Sequence, residues 1–441
     1  MKKKLFVLSI DAMVREDVEY MMTKPNFSKL MDKRAEVTEA CTVYPALTYP
    51  AHTSLLTGCR PGKTGIYTNQ PLKTYKDAYS HFYMEHKDIK VEDFFAIAKR
   101  AGCSTACCYW PVTANNPNID CLITEYYFYL AKYETVEEAF ARYGSNEAAL
   151  KIVREHEHLI PEDVRTCNLK GSGPKARFKF DDFINACTVS MIRDQKPDVM
   201  FAHCIYLDTL RHGYGLFSQE TKEAMDKIDE YLGDIIQAMK DIGTYEDTNF
   251  VIVSDHGQLD FERYVKLNAL LQKGGFIDLA PDGSVYNWSA FSKTSGFSTA
   301  VFLADPTDKK KEKEVYEYLL KLKDEGIWGI EEVLPADEVR ERWGTYGMFS
   351  FIVEAESDTC FADGWEGQIS QTIYEVPGYK AKHGYQPEKG PQPIILATGP
   401  DFKEGAVIPH AYTIDLVPTL AAIYGQEAPE AEGKCLRELL K

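Results

Sequence analysis

No apolar run in this chain of 441 residues approaches the length that spans a bilayer, and no internal repeat or low-complexity linker interrupts it. A membrane partner is therefore not expected. The start, MKKKLFVLSID, is positively charged but offers only LFVLSI before Asp11. That is too short for a secretory signal core, and no small-residue cleavage site follows it. Positive charge is scarce: 50 Lys and Arg stand against 67 Asp and Glu, and 50 − 67 gives −17. Such a balance, with pI near 5.2, argues against gripping a nucleic-acid polymer through its backbone phosphates. A small phosphorylated substrate remains open, because a bound metal supplies positive charge that composition does not count. Cysteine is present eleven times, an odd number, with no paired CxxC spacing of a zinc site. Scattered thiols in a chain of this length predict reduced, mostly buried cysteines and a cytoplasmic protein.

What is present is a rhythm. KLFVLSI (4–10), STACCYW (104–110), PDVMFAHCIYL (197–207), TNFVIVS (248–254) and QPIILAT (392–398) are almost continuously apolar. Strands read that way when both sheet faces are covered. Amphipathic stretches separate them: 90–102 ends on Gly102, 218–243 opens with Ser218 and Glu220 and closes on Gly243, and 414–425 carries Pro418 near its start. The alternation predicts an α/β fold, a mostly parallel central sheet with helices on both faces, as a single catalytic domain over 1–441. Two stretches break the rhythm. Residues 111–180 are rich in Tyr, Asn and charge, include the glycine-containing NLKGSGPKARF, and read as a cap insertion. Residues 260–380 hold their own strands (STAVFLAD, MFSFIVEAE) and a helix (DKKKEKEVYEYLLKLKDEG), and read as an inserted smaller α+β subdomain. The tyrosines of CLITEYYFYLAKYE (121–134) predict an amphipathic helix packed on the core, with a substrate-facing cap as the alternative.

In an open parallel sheet, functional groups collect beyond the carboxyl ends of the strands. Asp11 follows the first strand. Asp208 and, in DTLRHGYG, His212 follow the third. Asp255 and His256, in SDHGQ, follow the fourth, and His383, in KHGYQPEKG, precedes the fifth. An aspartate at a strand end is ordinarily a cap or turn former. All of these on one rim is another matter. Aspartate oxygen and histidine nitrogen are ligands that zinc and other borderline divalent ions accept. Six such groups exceed one tetrahedral site and suit two, each with an open position. TVYPALTYPAHTSLLTG, Thr42 to Gly58, then gains a meaning. Thr48 lies in a proline-flanked turn ahead of a helix-like segment. There, one metal would activate its hydroxyl and another would neutralise a leaving oxygen, as in in-line displacement at phosphorus.

LSIDAM, TVYPALTYPAHTSLLTGCRPGKTGIYTN, YLDTLRHGYG, VIVSDHGQ and KHGYQPEKGPQPIILATGPDFKEG together resemble, in order and over most of the chain, the nucleotide pyrophosphatase/phosphodiesterase branch of the alkaline phosphatase superfamily. The resemblance implies an alkaline phosphatase-like fold. It implies that Asp11, Thr48, Asp255 and His256 hold the metal that activates the nucleophile, and that Asp208, His212 and His383 hold the metal facing the leaving group. It implies that Asn69, with the Thr48 backbone N–H, holds a non-bridging phosphoryl oxygen. The implied reaction has two steps: a phosphothreonine forms on Thr48, and water then releases it. The implied cofactors are two divalent ions, zinc first, with manganese or iron as alternatives, and the implied substrate is a small phosphorylated molecule, a nucleotide among the candidates. Three departures stand out: TGI replaces HGI ahead of Asn69, no export signal precedes the domain, and His203 occupies a position where the family commonly has an aromatic residue. His203 is expected to be a core or wall histidine, and His52 to support the turn. His81, His86, His156, His158 and His410 have no evident partner in the sequence.

The rivals are a phosphomonoesterase or phosphonate hydrolase on the same scaffold, and a metal-stabilised binding protein without activity. Arg60, in CRPGK, has no derivable direction. That segment also lacks the C/S-x-P-x-R context of a sulfatase. A cofactor-independent phosphoglycerate mutase would use serine and carry a large insertion soon after it. The full set of expected ligands disfavours a silent site.

Overall fold

The computed structural model describes residues 2–71, 82–125, 135–162, 174–376 and 378–441. The segment 126–134, His81, and residues 168–173 of NLKGSGPKARF lie outside these, and with them most of the expected tyrosine-rich helix.

The core is one eight-stranded sheet. Its strands are β1 (Lys4–Ile10), β2 (Ala35–Cys41), β3 (Thr105–Cys108), β4 (Cys121–Ile123), β5 (Val199–Cys204), β6 (Thr248–Val253), β7 (Ile395–Thr398) and β8 (Val407–Tyr412), in the spatial order β8-β2-β7-β6-β1-β5-β3-β4. β1 is flanked in parallel by β5 and β6, with Val7 opposite Phe201 on one side and Val251 on the other. β7 runs antiparallel to both β6 and β2. The sheet is thus mixed on that side and parallel around β1.

Successive side chains of a strand point to opposite faces, so each central strand feeds two cores. Phe6, Leu8 and Ile10 join one apolar cluster with Met200, Ala202 and Ile252. It is covered by the Pro25–Met31, Val136–Arg142, Glu147–His156, Pro174–Gln195 and Gln219–Asp241 helices. Leu5 and Val7 join the other with Phe201, Val251 and Ile395, covered by the Thr48–Thr57, Phe94–Arg100 and Leu416–Ile423 helices. This is why the strands lack polar alternation. The described helices of 111–180 share the first of these clusters. Helix starts follow local chemistry: the Ser218 side chain accepts from the Thr221 N–H and that of Asp93 from the Ala96 N–H.

Between β6 and β7 the chain builds a second unit. A four-stranded antiparallel sheet (Ala290–Thr294, Ser298–Leu303, Ile330–Pro335, Phe351–Ala355) carries the Lys309–Asp324 helix. It has its own apolar cluster, including Phe291, Val301, Leu319 and Val353. No described helix is long and apolar enough to cross a membrane, and the ten described cysteines are all free.

Candidate active site

β1 lies between β5 and β6, all three parallel, and the functional groups of such a sheet gather in the crevice beyond its carboxyl edge. Asp11 follows β1 directly, its N–H donating to the Cys204 carbonyl at the end of β5. Asp255 stands just beyond β6, and its Oδ1 accepts from the Ala12 N–H at 3.1 Å.

The expected strand over 197–207 ends early. β5 stops at Cys204, and a helix runs from Tyr206 to Tyr214. Helical geometry sets residues four apart on one face, so Asp208 and His212 face each other, with His212 Nε2 at 3.3 Å from Asp208 Oδ2. Thr48 also differs from its expected turn. It is the first residue of the Thr48–Thr57 helix, whose following residues are all buried. The hydroxyl therefore projects from a helix N-terminus and lies 3.2 Å from His256 Nε2. His383 arrives from the second unit. A Cβ on Gly296 would stand 2.2 Å from the His383 carbonyl oxygen, and φ is +105° there, so only glycine lets that loop press His383 into the crevice.

All seven candidate ligand residues converge. Asp208, His212 and His383 form one group and Asp11, Asp208 and His256 another, each with its donor atoms within 4.8 Å of one another. Asp255 joins the second through its Oδ2, 3.1 Å from His256 Nε2. Tautomers fit metal binding. His212 Nδ1–H donates to the Ala381 carbonyl (2.8 Å) and His256 Nδ1–H to the Gly257 carbonyl (3.2 Å), which leaves each Nε2 lone pair free. Asp11 Oδ1 and Asp255 Oδ2 are buried with no hydrogen-bond partner among the described residues.

Electrostatics point the same way. Burial, then Asp255, Asp208 and Glu125, push the Asp11 carboxyl well above the usual carboxylate range. Burial works against ionised Asp208 too, yet His212, His383 and His256 hold its carboxyl well below that range. Burial, then His256, lowers His383 far below an ordinary histidine, so it stays neutral and able to ligate. Carboxylates crowded against imidazole nitrogens, with Asp11 Oδ1 and Asp255 Oδ2 unpartnered among the described residues, make a donor set that a pair of divalent cations fits.

A supporting layer holds these groups. His52 Nδ1–H donates to the Thr48 carbonyl at 2.9 Å, while its Nε2 meets the Ser9 hydroxyl at 2.8 Å. Buried His203 stands with Nε2 3.2 Å from Asp11 Oδ2. Burial lowers both histidines to about 3, so both are neutral. Among histidines without an evident sequence partner, His86 meets Asp93 at 3.0 Å and His156 meets Ser190 at 2.8 Å, both away from the crevice. Asn69 Oδ1 accepts from the Tyr49 N–H at 3.1 Å, which turns its amide NH2 to the cavity it lines.

Arg211, wholly buried between Asp208 and His212 in the chain, ties the site together. It donates to the Ala12 carbonyl at 2.7 Å and pairs with Asp17 at 2.5 Å. Arg211→Met leaves Asp17 buried and unpaired. A stability loss of about 3–5 kcal/mol is expected in denaturant melts, partly recovered on adding Asp17→Asn.

The crevice opens into a cavity of about 480 Å³. Glu125, Lys293 and Lys382 line it, and Gln258 donates to Asp208 Oδ1 at 2.5 Å from beside it. None of these four stands out in sequence. Gln258, two places after His256 in SDHGQ, is the one with a local signal.

The family model described as "Type I phosphodiesterase / nucleotide pyrophosphatase" matches residues 5–386. Human ectonucleotide pyrophosphatase/phosphodiesterase family member 1 is 23% identical over 257 residues, 56% of this chain and 23% of that protein. Mouse bis(5′-adenosyl)-triphosphatase enpp4 is 22% identical over 258 residues, 56% of this chain and 49% of the relative. The chain thus spans half or less of these two relatives. The Xenopus laevis protein of the same name is 23% identical over 433 residues, covering 96% and 78%. Among solved structures, murine ectonucleotide pyrophosphatase/phosphodiesterase 5 matches over the whole of both chains with a TM-score of 0.68 at 17% identity, and the human one with 0.69 at 20%. A further murine structure is described as an inactive threonine-to-alanine variant in complex with AMP, with a TM-score of 0.68 at 18% identity. The fold is accordingly alkaline phosphatase-like.

Proposed function

The chain belongs to the type I phosphodiesterase/nucleotide pyrophosphatase family, and from that premise we propose that it is a divalent-metal-dependent hydrolase of phosphodiester or phosphoanhydride bonds, acting through a phosphothreonine on Thr48. The observation that carries this is the Thr48 hydroxyl, at a helix N-terminus and 3.2 Å from His256 Nε2, amid buried Asp11, Asp255, His212 and His383 and part-buried Asp208. In this reading Asp11, Asp255, His256 and Thr48 hold one ion, and Asp208, His212 and His383 the other. Zinc suits the oxygen and nitrogen donors best, with manganese or iron as alternatives. The ions would lower the hydroxyl's pKa and offset charge on the leaving oxygen.

The chain's own groups do the rest. The His52 contact fixes the Thr48 carbonyl and hence the first helical turn. The Asn69 amide and the Thr48 N–H hold a non-bridging oxygen. The Thr48 oxygen displaces the leaving group and carries the phosphoryl unit, with its ester substituent when the substrate is a diester. Water entering from the cavity then frees it.

A small nucleotide is the favoured substrate, since the relatives' names refer to nucleotides and a related structure holds AMP. The runner-up, a phosphomonoesterase or phosphonate hydrolase, draws on Lys382, a cation on the cavity wall beside His383. The unpaired cysteines favour a reducing, cytoplasmic setting.

The test is a panel of bis-p-nitrophenyl phosphate, p-nitrophenyl phosphate, a phenylphosphonate ester and a dinucleotide, each with and without chelator. Preference for the first or last supports the diesterase, and preference for the monoester or phosphonate supports the runner-up. Chelation is expected to cut turnover at least about a thousandfold, reversed by added zinc or manganese. Turnover indifferent to chelator contradicts the proposal.

A further inference from the structure

Glu125 has no part in the reaction described above, yet it lines the same cavity as Thr48 and Asn69. It follows β4 by two residues, is 5% exposed, and sits on the Tyr49 side of the crevice, where the Tyr49 and Phe82 rings stack at 5.2 Å. Its carboxyl meets the Tyr49 side chain through a hydrogen bond, and its Oε2 is buried with no hydrogen-bond partner among the described residues. A buried oxygen without a partner is costly, and it persists where something else completes it. Burial, opposed in part by the Tyr49 hydrogen bond and reinforced by Asp255, pushes this carboxyl up to about 8.

Charge decides what that partner is. Glu125 is within electrostatic reach of Asp11 and Asp255, and its wall offers a phosphate no described cation. Among the described residues, the cations that line the cavity, Lys293 and Lys382, come from the second unit, with Lys382 next to His383. In-line attack sends the leaving group away from the nucleophile, so the wall flanking Thr48 and Tyr49 meets the substituent that stays on phosphorus.

We propose that Glu125 is a specificity-determining residue, whose free oxygen accepts a hydrogen bond from a donor group on the retained half of the substrate. An exocyclic amine of a nucleobase and a sugar hydroxyl share that chemistry. The inference rests on the phosphodiester reading for the orientation of the substrate.

The test is calorimetric binding of three ligands to the metal-loaded protein. They are AMP, purine riboside 5′-monophosphate, which lacks the amine, and 2′,3′-dideoxyadenosine 5′-monophosphate, which lacks the sugar hydroxyls. Wild-type protein is expected to bind AMP about tenfold more tightly than one of the other two, the worth of a hydrogen bond to a buried group, and that arm identifies the donor. Glu125→Leu should bring the ratio within about twofold, and Glu125→Gln, which keeps a carbonyl oxygen in place, should restore most of it. A wild-type protein that binds all three equally, or binds none, overturns the assignment. So does a ratio that survives Glu125→Leu with metal content intact. Turnover of bis-p-nitrophenyl phosphate by the same wild-type sample separates the two readings. Its absence beside intact nucleotide discrimination sinks the phosphodiesterase and leaves the Glu125 assignment standing.

Discussion

Thr48→Ala is expected to lower phosphodiester turnover by at least about a thousandfold, because no other group stands ready to take over a lost covalent nucleophile. The substitution removes one hydroxyl from the first turn of a buried helix. The Ser9–His52–Thr48 carbonyl chain uses the backbone at position 48, not its side chain, and so survives. Asp11, Asp255 and His256 also remain. Metal content should therefore stay close to that of the parent, and nucleotide should still bind. Steady-state assays with metal analysis on the same sample check this. A variant that turns over at the parent rate ends the nucleophile assignment.

Asp208→Ala should remove about one ion per chain and cut turnover at least about a thousandfold. Asp208 belongs to both candidate groups, with Oδ2 toward His212 and Oδ1 toward His383 at 3.9 Å. Without it two imidazoles are left to hold an ion that carboxylate charge had favoured. Gln258 then loses its acceptor at the same point. The measurement is metal stoichiometry after exhaustive dialysis, beside turnover. Two retained ions at full occupancy would contradict the proposed division of ligands.

The sequence exposes the rim of this site better than its supports. β1 and β6 are legible because both faces are covered, so their apolar runs are unbroken and the acidic residue that ends each run stands out. β2 hides, since its AEVTEAC mixes charge with small residues around a partly exposed middle. β8, at the edge of the sheet, reads VIPHAY and is largely exposed, so neither period nor hydrophobicity marks it. The end of β5 is lost for another reason: CIYL continues the apolar run, and only the four-residue spacing of Asp208 and His212 hints that the backbone has turned helical. Thr48 is conspicuous through its prolines, but its place as the first helical residue is a tertiary result. Glu125 carries no sequence signal, because its character comes from burial between β4 and Tyr49. The β-unit between β6 and β7 is legible as a separate pattern. That its Gly296 loop wedges His383 into the crevice is visible only in three dimensions.

The central claim is a covalent intermediate on Thr48, and stereochemistry at phosphorus tests it most directly. Each in-line displacement inverts the phosphorus centre, so attack by Thr48 followed by attack of water restores it. With a diester made chiral at phosphorus by isotopic or sulfur substitution, the account predicts net retention in the product. Net inversion would mean that water strikes the substrate directly, and Thr48 would lose its role.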